Sequence, residues 1–515
     1  MRLSLTDSHE RPTVSSCYFV TILTNTTDNN KLIETMKIKI LESNWTFYIL
    51  LFLLFFVFFF QIHPLVPFNS DDWINMGMAR RAYPSFAFWN PTKVFPECFE
   101  PFVASFAAFF VTPLIGDYLN AMTITNAAVV SLFIIIYLYS FQKLLEHKFT
   151  IRKLSVFSIV LLFAILHFVI LKTEEANNEY LLYSHDCNCY YHYTIPNLLC
   201  ASLVMWLMRC NINTIRNRLS IGILCFVSYL ALCSNLYSTI ILTAYLGSVL
   251  LIDVFQANHK EPRWIVTFVK HHWYSLLIIL LWFIVQLIEV NGRRATSYGH
   301  LDQPLLQEVE LTFNSFLSIR YNIKFILFIL FITLGTICVY FVNEKKRLSL
   351  IGKTPFVFFC SLIISITYLI LLSSRVSSRY ILRGDVIFGY SFFLLLPIAF
   401  CICYLCEKIK YFKIAIPCFI VFALFELNSH NNVFKDIQFE YGLNAQSCLT
   451  LDKYIINRVC EADAQSKDTV IIQVPKFNDD DNWPLSIDLS KSVGTTLYKH
   501  NITRRNITTL YEISE

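Results

Sequence analysis

Long apolar runs follow one another along most of this 515-residue chain, and they constrain its fold more than any other feature. A run of about 20 apolar residues forms a helix long enough to cross a bilayer. Because 55% of the residues are hydrophobic and only 15% are charged, a soluble domain could not cover its surface with polar groups. We therefore predict an all-α polytopic membrane protein. The predicted spans lie at 45–62, 121–141, 155–171, 195–208, 219–234, 236–255, 273–289, 323–342, 355–372, 386–406 and 414–427.

The positively charged loops give these spans an orientation. Lys and Arg concentrate in five loops, which the positive-inside rule places in the cytoplasm. These loops are 142–154, 209–218, 256–272, 343–353 and 407–413. They share one side only if the apolar segment 101–119, interrupted by Pro113 and Gly116, does not cross. We therefore expect about eleven transmembrane helices, a cytoplasmic N-terminus, an outer C-terminus and interfacial helices in the first outer loop.

Composition divides the chain into regions. Residues 1–44 are polar, lack a signal-peptide cleavage pattern and are expected to form a partly disordered cytoplasmic segment. Residues 45–427 form the transmembrane domain, and its longest loop, 63–120, lies on the outer face. From 428 to 515 the charge rises and long apolar runs stop, which predicts a small soluble α/β domain outside the membrane.

Two further signals lie in the C-terminal region. The stretch from Asp468 to Pro475 is typical of a buried strand bounded by residues that end strands. Cys448 and Cys460 would lie in an oxidising compartment, where they could form a disulfide or stay as buried free thiols.

An acidic pair comes shortly after the first apolar run, in the sequence Asn69-Ser70-Asp71-Asp72-Trp73. Charged groups are costly near hydrocarbon and usually have a function there. A carboxylate at the outer face could take a proton from a sugar hydroxyl, and two neighbouring carboxylates could hold a divalent cation, Mg²⁺ or Mn²⁺. The alternative is a solvated turn that ends the helix. The pattern does not distinguish Asp71 from Asp72.

The outer loop 373–385 carries Arg375, Arg379 and Arg383, against the positive-inside trend. Arginine binds phosphate oxygens through paired, charge-assisted hydrogen bonds, so this cluster is a candidate lipid-phosphate site. The arginines could instead bind ordinary anionic headgroups or pair with Asp385.

Other polar and aromatic residues of the outer loops complete the predicted site. The aromatic cluster around His185 and His192 suits either a membrane-interface belt or a platform for sugar rings. Glu179 could form hydrogen bonds to sugar hydroxyls. The residues that we expect to bind substrate are Trp73, Arg80, Arg81, Glu179, His185 and His192.

These features together resemble the GT-C superfamily, membrane glycosyltransferases that take a sugar from a polyprenyl- or dolichyl-phosphate donor. The common points are the acidic pair in a long first outer loop, the interfacial helices, the many spans and the outer C-terminal domain. Three stretches are similar, more narrowly, to the serotype-converting O-antigen glucosyltransferases of enteric bacteria. They are Asn69-Ser70-Asp71-Asp72-Trp73, the loop from Arg375 to Arg383, and the ending Asn482-Trp483-Pro484 through Lys499-His500-Asn501.

The resemblance implies an inverting sugar transfer at the periplasmic face of a bacterial inner membrane. The donor would be undecaprenyl-phosphate glucose, which a separate synthase makes and a separate flippase moves to the periplasmic leaflet. The acceptor would be a lipid-linked O-antigen repeat. Asp71 or Asp72 would act as the base, and Arg375, Arg379 and Arg383 would hold the donor phosphate. A divalent cation stays an open alternative, and no other cofactor is implied. Membrane lipids are expected contacts, and nucleic acid is not.

Two other functions suit this architecture. A flippase or transporter for a lipid-linked sugar would favour ionisable residues in the middle of the spans, whereas here the charge lies in the outer loops. An O-antigen polymerase would also work at this face. The long first loop with its paired acids and the separate C-terminal region favour the transferase.

Overall fold

The computed structural model describes residues 44–77, 92–171, 180–210, 212–257, 263–290, 304–343, 353–429, 436–438, 441–477 and 481–514. Within these ranges the chain is mostly helical, as the apolar runs predict. Contacts divide the chain into two compact units, residues 1–51 and 52–515. The described part of the first unit, residues 44–51, is helical throughout.

Helices account for nearly all of the described residues before position 430. The first are α1 (Asn44–Val57), α2 (Ser70–Met76), α3 (Val94–Phe106), α4 (Thr112–Ile115), α5 (Tyr118–Lys148), α6 (Lys153–Val169), α7 (Cys187–Cys189), α8 (Ile195–Leu207), α9 (Arg218–Leu232) and α10 (Leu236–Gln256). The others are α11 (Trp264–His271), α12 (Trp273–Val290), α13 (Leu305–Ser318), α14 (Ile323–Asn343), α15 (Lys353–Ser373), α16 (Gly384–Lys408) and α17 (Phe412–Ser429). Single π-helical turns lie at Phe58–Ile62, Ala107–Val111 and Tyr190–Thr194, and 3₁₀ turns at Ile212–Thr214 and Tyr380–Leu382. Every predicted span overlaps one of these helices.

Eight helical stretches of the described residues have the length and composition needed to cross a membrane. They are Asn44–Ile62, Val94–Ile115, Tyr118–Lys148, Leu236–Gln256, Trp273–Val290, Ile323–Val342, Lys353–Ser373 and Gly384–Lys408. The helices α6 and α9 are apolar but shorter. The long apolar helices indicate a multi-pass membrane protein, as predicted, while the number of eleven spans stays a prediction.

Most of the segment 101–119 belongs to a helical stretch that begins earlier, at Val94, and ends at Ile115. Val94–Ile115 has 22 residues and the hydropathy of a span. The π-helical turn Ala107–Val111 interrupts it, and Gly116 follows with a φ of 77°, a left-handed conformation that glycine adopts without strain. Its orientation in the membrane, and with it the orientation of the later loops, stays a prediction.

Five helices form the centre of the bundle. The helix α8 packs between α5 and α10, α10 packs against α15, and α15 packs against α16. The residues at the N-terminal ends of α8, α10 and α16, together with the loop after α15, come together at one end of the bundle. This end of the bundle forms the floor of the site described below.

Residues 436–514 combine two strand pairs with two helices. Along the chain these are β1 (Asp436–Gln438), β2 (Leu443–Asn444), α18 (Ala445–Ala464), β3 (Thr469–Val474), α19 (Lys491–Lys499) and β4 (Thr508–Ile513). The strands β1 and β2 are antiparallel, whereas β3 and β4 are parallel and are joined by a crossover that contains α19. The strand predicted near 468–475 is confirmed, with Val470, Ile472 and Val474 on its buried face.

These C-terminal elements share a hydrophobic core with the first outer loop. Trp73 and Met76 of α2 are buried in the same cluster as Val493 and Leu497 of α19. Because burial of apolar surface is the main favourable term in folding, this cluster stabilises α2 and the C-terminal region together. That residues 428–515 form a domain of their own stays a prediction.

The two C-terminal cysteines are free thiols in this structure. Cys448 is fully buried and Cys460 is half-buried, both on α18. Burial raises the pKa of each thiol, which makes both poor nucleophiles.

The C-terminal core also encloses a carboxyl group, that of Asp452 on α18. The side chain is fully buried, and neither of its oxygens has a hydrogen-bond partner among the described residues. Burial raises the pKa of Asp452 well above its usual value, and the Asp72 carboxylate adds to the increase. The folded protein therefore favours the protonated, uncharged form of this group.

We expect the replacement of Asp452 by asparagine to flatten the pH dependence of stability. Because the folded state binds the Asp452 proton more tightly than the unfolded state, the free energy of unfolding falls as the pH rises above about 4. In Asp452→Asn this dependence is removed, so the thermal midpoint should exceed that of the wild type by about 2 °C at about pH 8 and by less at about pH 5. Asp468→Asn, on an exposed side chain, is the control, and an equal shift at both pH values would contradict the assignment.

Candidate functional site

Residues from five separate parts of the chain line one cavity of about 470 Å³. This volume is in the range of small-molecule sites. Four of the parts are the loop after α1, the loop between α6 and α8, the loop before α16 and the C-terminal region, and a single residue, Asn235, comes from between α9 and α10. The charged and titratable residues among the lining are Asp71, Lys93, His185, Asp186, His192, Arg379 and Arg383.

The acidic pair begins the short helix α2, and the two carboxylates have different roles there. The side chain of Asn69 accepts a hydrogen bond from the Asp71 N–H at 3.0 Å, which caps the helix. In return, Oδ2 of Asp72 accepts from the backbone N–H groups of Asn69 at 3.1 Å and Phe68 at 2.9 Å. This reciprocal arrangement is a capping box, and it fixes the start of the helix at Ser70.

Asp72 also joins the first outer loop to the second. Its Oδ1 accepts a hydrogen bond of 2.6 Å from the Asn188 N–H, and Oδ1 of Asn188 accepts one of 2.6 Å from Nδ2 of Asn75. Asp72 is fully buried and does not line the cavity, whereas Asp71 is half-buried and does. The structure therefore distinguishes two carboxylates that the sequence leaves equivalent.

The residues do not fit a divalent cation held jointly by the two aspartates. Oδ2 of Asp72 accepts two backbone N–H groups and Oδ1 accepts one, and the fully buried side chain is not part of the cavity lining that contains Asp71. Among the residues that the structure describes, no group of three or more His, Cys, Asp or Glu side chains could hold a metal ion.

The loop between α6 and α7 adds Asp186 and His185 to the cavity wall. Oδ1 of Asp186 accepts from the Cys189 N–H at 2.5 Å, which begins α7. Desolvation, and then the Asp71 carboxylate, raise the pKa of Asp186 to about 6. Desolvation, together with the charge of Arg383, lowers the pKa of His185 to about 4, so this imidazole is neutral near pH 7.

Arg383 is a fixed cation in the same wall. Asp385 binds it in a bidentate manner, accepting from Nε at 3.0 Å and from Nη2 at 2.7 Å. Burial alone would lower the pKa of Arg383, but its interactions with neighbouring groups, of which Asp385 is the first, together outweigh this effect, so the pKa lies above its usual value. Nη1 has no bonded partner among the described residues, which leaves it available to an anion in the cavity.

Several neighbours hold this ion pair in place. The Ser184 hydroxyl donates to Oδ2 of Asp385 at 2.9 Å, and the side chain of Asp385 is only 1% exposed. The guanidinium carbon of Arg383 lies 4.6 Å from the ring centre of Tyr193 and 5.2 Å from that of Tyr380. Such cation–π contacts and the bidentate bond preorganise the cation before any ligand binds.

The three predicted arginines occupy different environments. Arg379 is exposed, lines the cavity and makes no described ion pair. Arg375 is exposed and is not part of the cavity lining. Two of the three arginines, Arg379 and Arg383, therefore meet Asp71 at one cavity.

Comparison of the chain with protein-family models, with curated proteins and with solved structures found no match. The geometry of the cavity is thus the basis for assigning a function.

The structure places the other predicted substrate-binding residues as follows. His185 and His192 line the cavity, as predicted. Trp73 does not, because it is fully buried in the core shared with the C-terminal region. Arg80, Arg81 and Glu179 lie outside the described residues.

Several residues of the lining were not chosen from the sequence. Lys93 immediately precedes α3, Asn235 caps α10, and Tyr441 and Trp483 come from the C-terminal region. The Asn-x-x-Asp spacing of Asn69 and Asp72 is a local signal that could have marked Asp72 as a cap. No local signal brings Tyr441 or Trp483 to the first outer loop, because that contact joins distant parts of the chain.

Proposed function

We propose that this chain is an inverting glycosyltransferase at the periplasmic face of a bacterial inner membrane. It would move a sugar, which the resemblance suggests is glucose, from undecaprenyl phosphate to a lipid-linked O-antigen repeat unit. The observation that carries the proposal is that the half-buried carboxylate of Asp71 and the cations Arg379 and Arg383 line one cavity in a chain of membrane-length helices.

The cavity supports this chemistry with one base and two cations. Asp71 takes the proton of the acceptor hydroxyl as its oxygen attacks the anomeric carbon of the donor sugar. The bond between that carbon and the phosphate oxygen breaks, and its electron pair leaves with the polyprenyl phosphate. Arg379 and the preorganised Arg383 bind the phosphate and stabilise the negative charge that develops on it. Attack opposite the leaving phosphate inverts the anomeric centre.

The neutral and aromatic lining suits sugar binding. The neutral His185 can bond to sugar hydroxyls without adding charge, His192 offers a second imidazole, and Tyr193 and Tyr380 present ring faces beside Arg383. The neighbouring carboxyl of Asp186, with its pKa raised to about 6, can accept from a second hydroxyl. These groups favour a carbohydrate over a purely anionic ligand.

The composition of the O-antigen tests the proposal. A bacterial host that makes an unmodified O-antigen and undecaprenyl-phosphate glucose would express the chain, and the polysaccharide would be analysed by mass and linkage. We expect one additional hexose on each modified repeat unit. A change in chain length without a new sugar would instead identify a polymerase, and an unchanged polysaccharide with the chain present in the membrane would contradict the transferase.

A further inference from the structure

The helix that carries Asp71 is too short to hold its own position. The helix α2 has only 7 residues, about two turns, whereas isolated helices shorter than about 12 residues are marginal in water. Its capping box fixes where it begins but not where it lies relative to Arg383, which belongs to a different loop. Contacts with other parts of the chain must therefore supply that position.

The N-terminal end of α2 is bonded to the C-terminal region. The backbone N–H and the hydroxyl of Ser70 both donate to the carbonyl oxygen of Pro484, each at 3.0 Å. The same hydroxyl accepts from the Ser486 N–H at 2.8 Å. Ser70 is almost fully buried, so water does not compete with these bonds.

The C-terminal end of α2 is attached to α19. The hydroxyl of Thr496 donates to the Trp73 carbonyl oxygen at 2.6 Å, and Nζ of Lys499 donates to the Gly77 carbonyl oxygen at 2.5 Å. Gly77 allows the close approach, because a Cβ there would overlap the Thr496 hydroxyl and lie 3.2 Å from the Thr496 Cα. Backbone carbonyls at the end of a helix need such partners.

The segment that holds α2 also forms part of the cavity wall. Trp483 lines the cavity and directly precedes Pro484, while Asp71 lines it and directly follows Ser70. The bond between Ser70 and Pro484 thus joins two adjacent pieces of the wall. Together with the bonds from α2 to Asn188, this contact sets where Asp71 lies relative to Arg383.

We propose that residues 484–499 are a positioning element of the site, which holds α2, and with it the Asp71 carboxylate, at the cavity through the two attachments at Ser70 and Thr496. This inference rests on the proposed function, since it assigns to these residues the placement of the base. Ser70 and Thr496 are positioning residues that act through α2 and do not touch the substrate.

The test compares two double variants with matched chemistry. Ser70→Ala/Thr496→Val removes two hydroxyls. That of Ser70 bonds to Pro484 and Ser486, and that of Thr496 bonds to Trp73. Ser492→Ala/Thr503→Val removes the same two groups from the C-terminal region, where they donate only to the local carbonyls of Leu489 and Arg505. Each variant loses two hydrogen bonds that a side-chain hydroxyl donates. The first variant also loses the bond that Ser70 accepts from the Ser486 N–H, and only the first loses contacts to α2.

The measurements are steady-state transfer and backbone amide exchange on purified, full-length protein. With undecaprenyl-phosphate glucose as donor and the isolated lipid-linked repeat as acceptor, we expect kcat of the first variant to fall roughly 10- to 100-fold while KM for the donor stays within about twofold. The amides of residues 70–77 should exchange faster in this variant, and their exchange rates should be unchanged in the control. Thr496→Ser keeps the hydroxyl, so replacing Thr496→Val by it should restore the part of kcat that depends on the second attachment.

The outcomes separate the two proposals. If the wild type transfers no sugar, the proposed function fails, and the positioning role fails with it. If the wild type is active and the first variant keeps its kcat, or loses it no more than the control does, only the positioning role is overturned. Unchanged exchange across residues 70–77 would also overturn it. Gly77→Ala is an independent second variant, because it pushes α2 from α19 without removing a polar group, and it should lower kcat in the same way.

Discussion

Replacing Asp71 by asparagine is expected to abolish sugar transfer while the protein still reaches the membrane at its normal level. The asparagine side chain has nearly the same shape but cannot take a proton, and loss of a general base costs roughly 10²- to 10⁴-fold in rate. Asp71 is half-buried and lines the cavity, and its side chain is not part of the hydrophobic core. The measurement is the hexose content of the O-antigen together with the amount of protein in the membrane fraction.

Asp72→Asn is the matched comparison, and it should fail in a different way. The asparagine would turn an NH₂ group towards N–H donors that now bond to the carboxylate, those of Phe68 and Asn69 or that of Asn188. We therefore expect a smaller amount of folded protein, with residual activity that follows that amount. Full modification of the O-antigen by Asp71→Asn would exclude Asp71 as the base. Loss of activity by Asp72→Asn at normal protein level would transfer the role to Asp72.

Removal of the charge at Arg383 is expected to have the second large effect. The variant must not leave the buried carboxylate of Asp385 without its partner. Arg383→Gln alone leaves Asp385 buried without a partner, and breaking a buried pair in this way costs about 3–5 kcal/mol. The double variant Arg383→Gln/Asp385→Asn removes both charges, so we expect it to fold and to lose donor binding. Loss of transfer, at a normal level of protein in the membrane, is the expected result.

Two further arginine variants test whether the loss of transfer depends on the position of the arginine at the cavity. Arg375→Gln changes an exposed arginine outside the cavity lining, and its transfer should equal that of the wild type. Arg379→Gln changes an exposed arginine of the lining and should raise KM for the donor. The phosphate assignment would be wrong if Arg375→Gln were as inactive as the Arg383 double variant, since proximity to the cavity would then not matter.

The helices follow from the sequence because their signal is local. An apolar run of sufficient length has no other favourable arrangement in a bilayer, where each backbone group must be bonded within its own segment. Each predicted run accordingly overlaps a helix. The stretch Val94–Ile115 shows the limit of that reasoning, because its length and hydropathy allow it to cross, whereas the charges of the later loops favour an interfacial position.

The candidate site was predicted only in part. The sequence indicated Asp71, Arg379, Arg383, His185 and His192, all of which line the cavity. Each is a charged or titratable residue beside a predicted membrane helix, which is a local signal. The same signal also selected Arg375 and Asp72, which are not part of the lining. Trp73 was selected as an aromatic neighbour of the acidic pair and is buried in the core.

The sequence by itself determined that this chain is helical, that it belongs in a membrane and which loop residues carry charge, because length, hydropathy and residue type act locally. Only the tertiary structure decided which aspartate faces the cavity. It also decided that the C-terminal region holds the helix of that aspartate. These decisions rest on hydrogen bonds such as that from Ser70 to Pro484, which joins residues 414 positions apart. Such a bond depends on how the whole chain packs, and no local pattern predicts it.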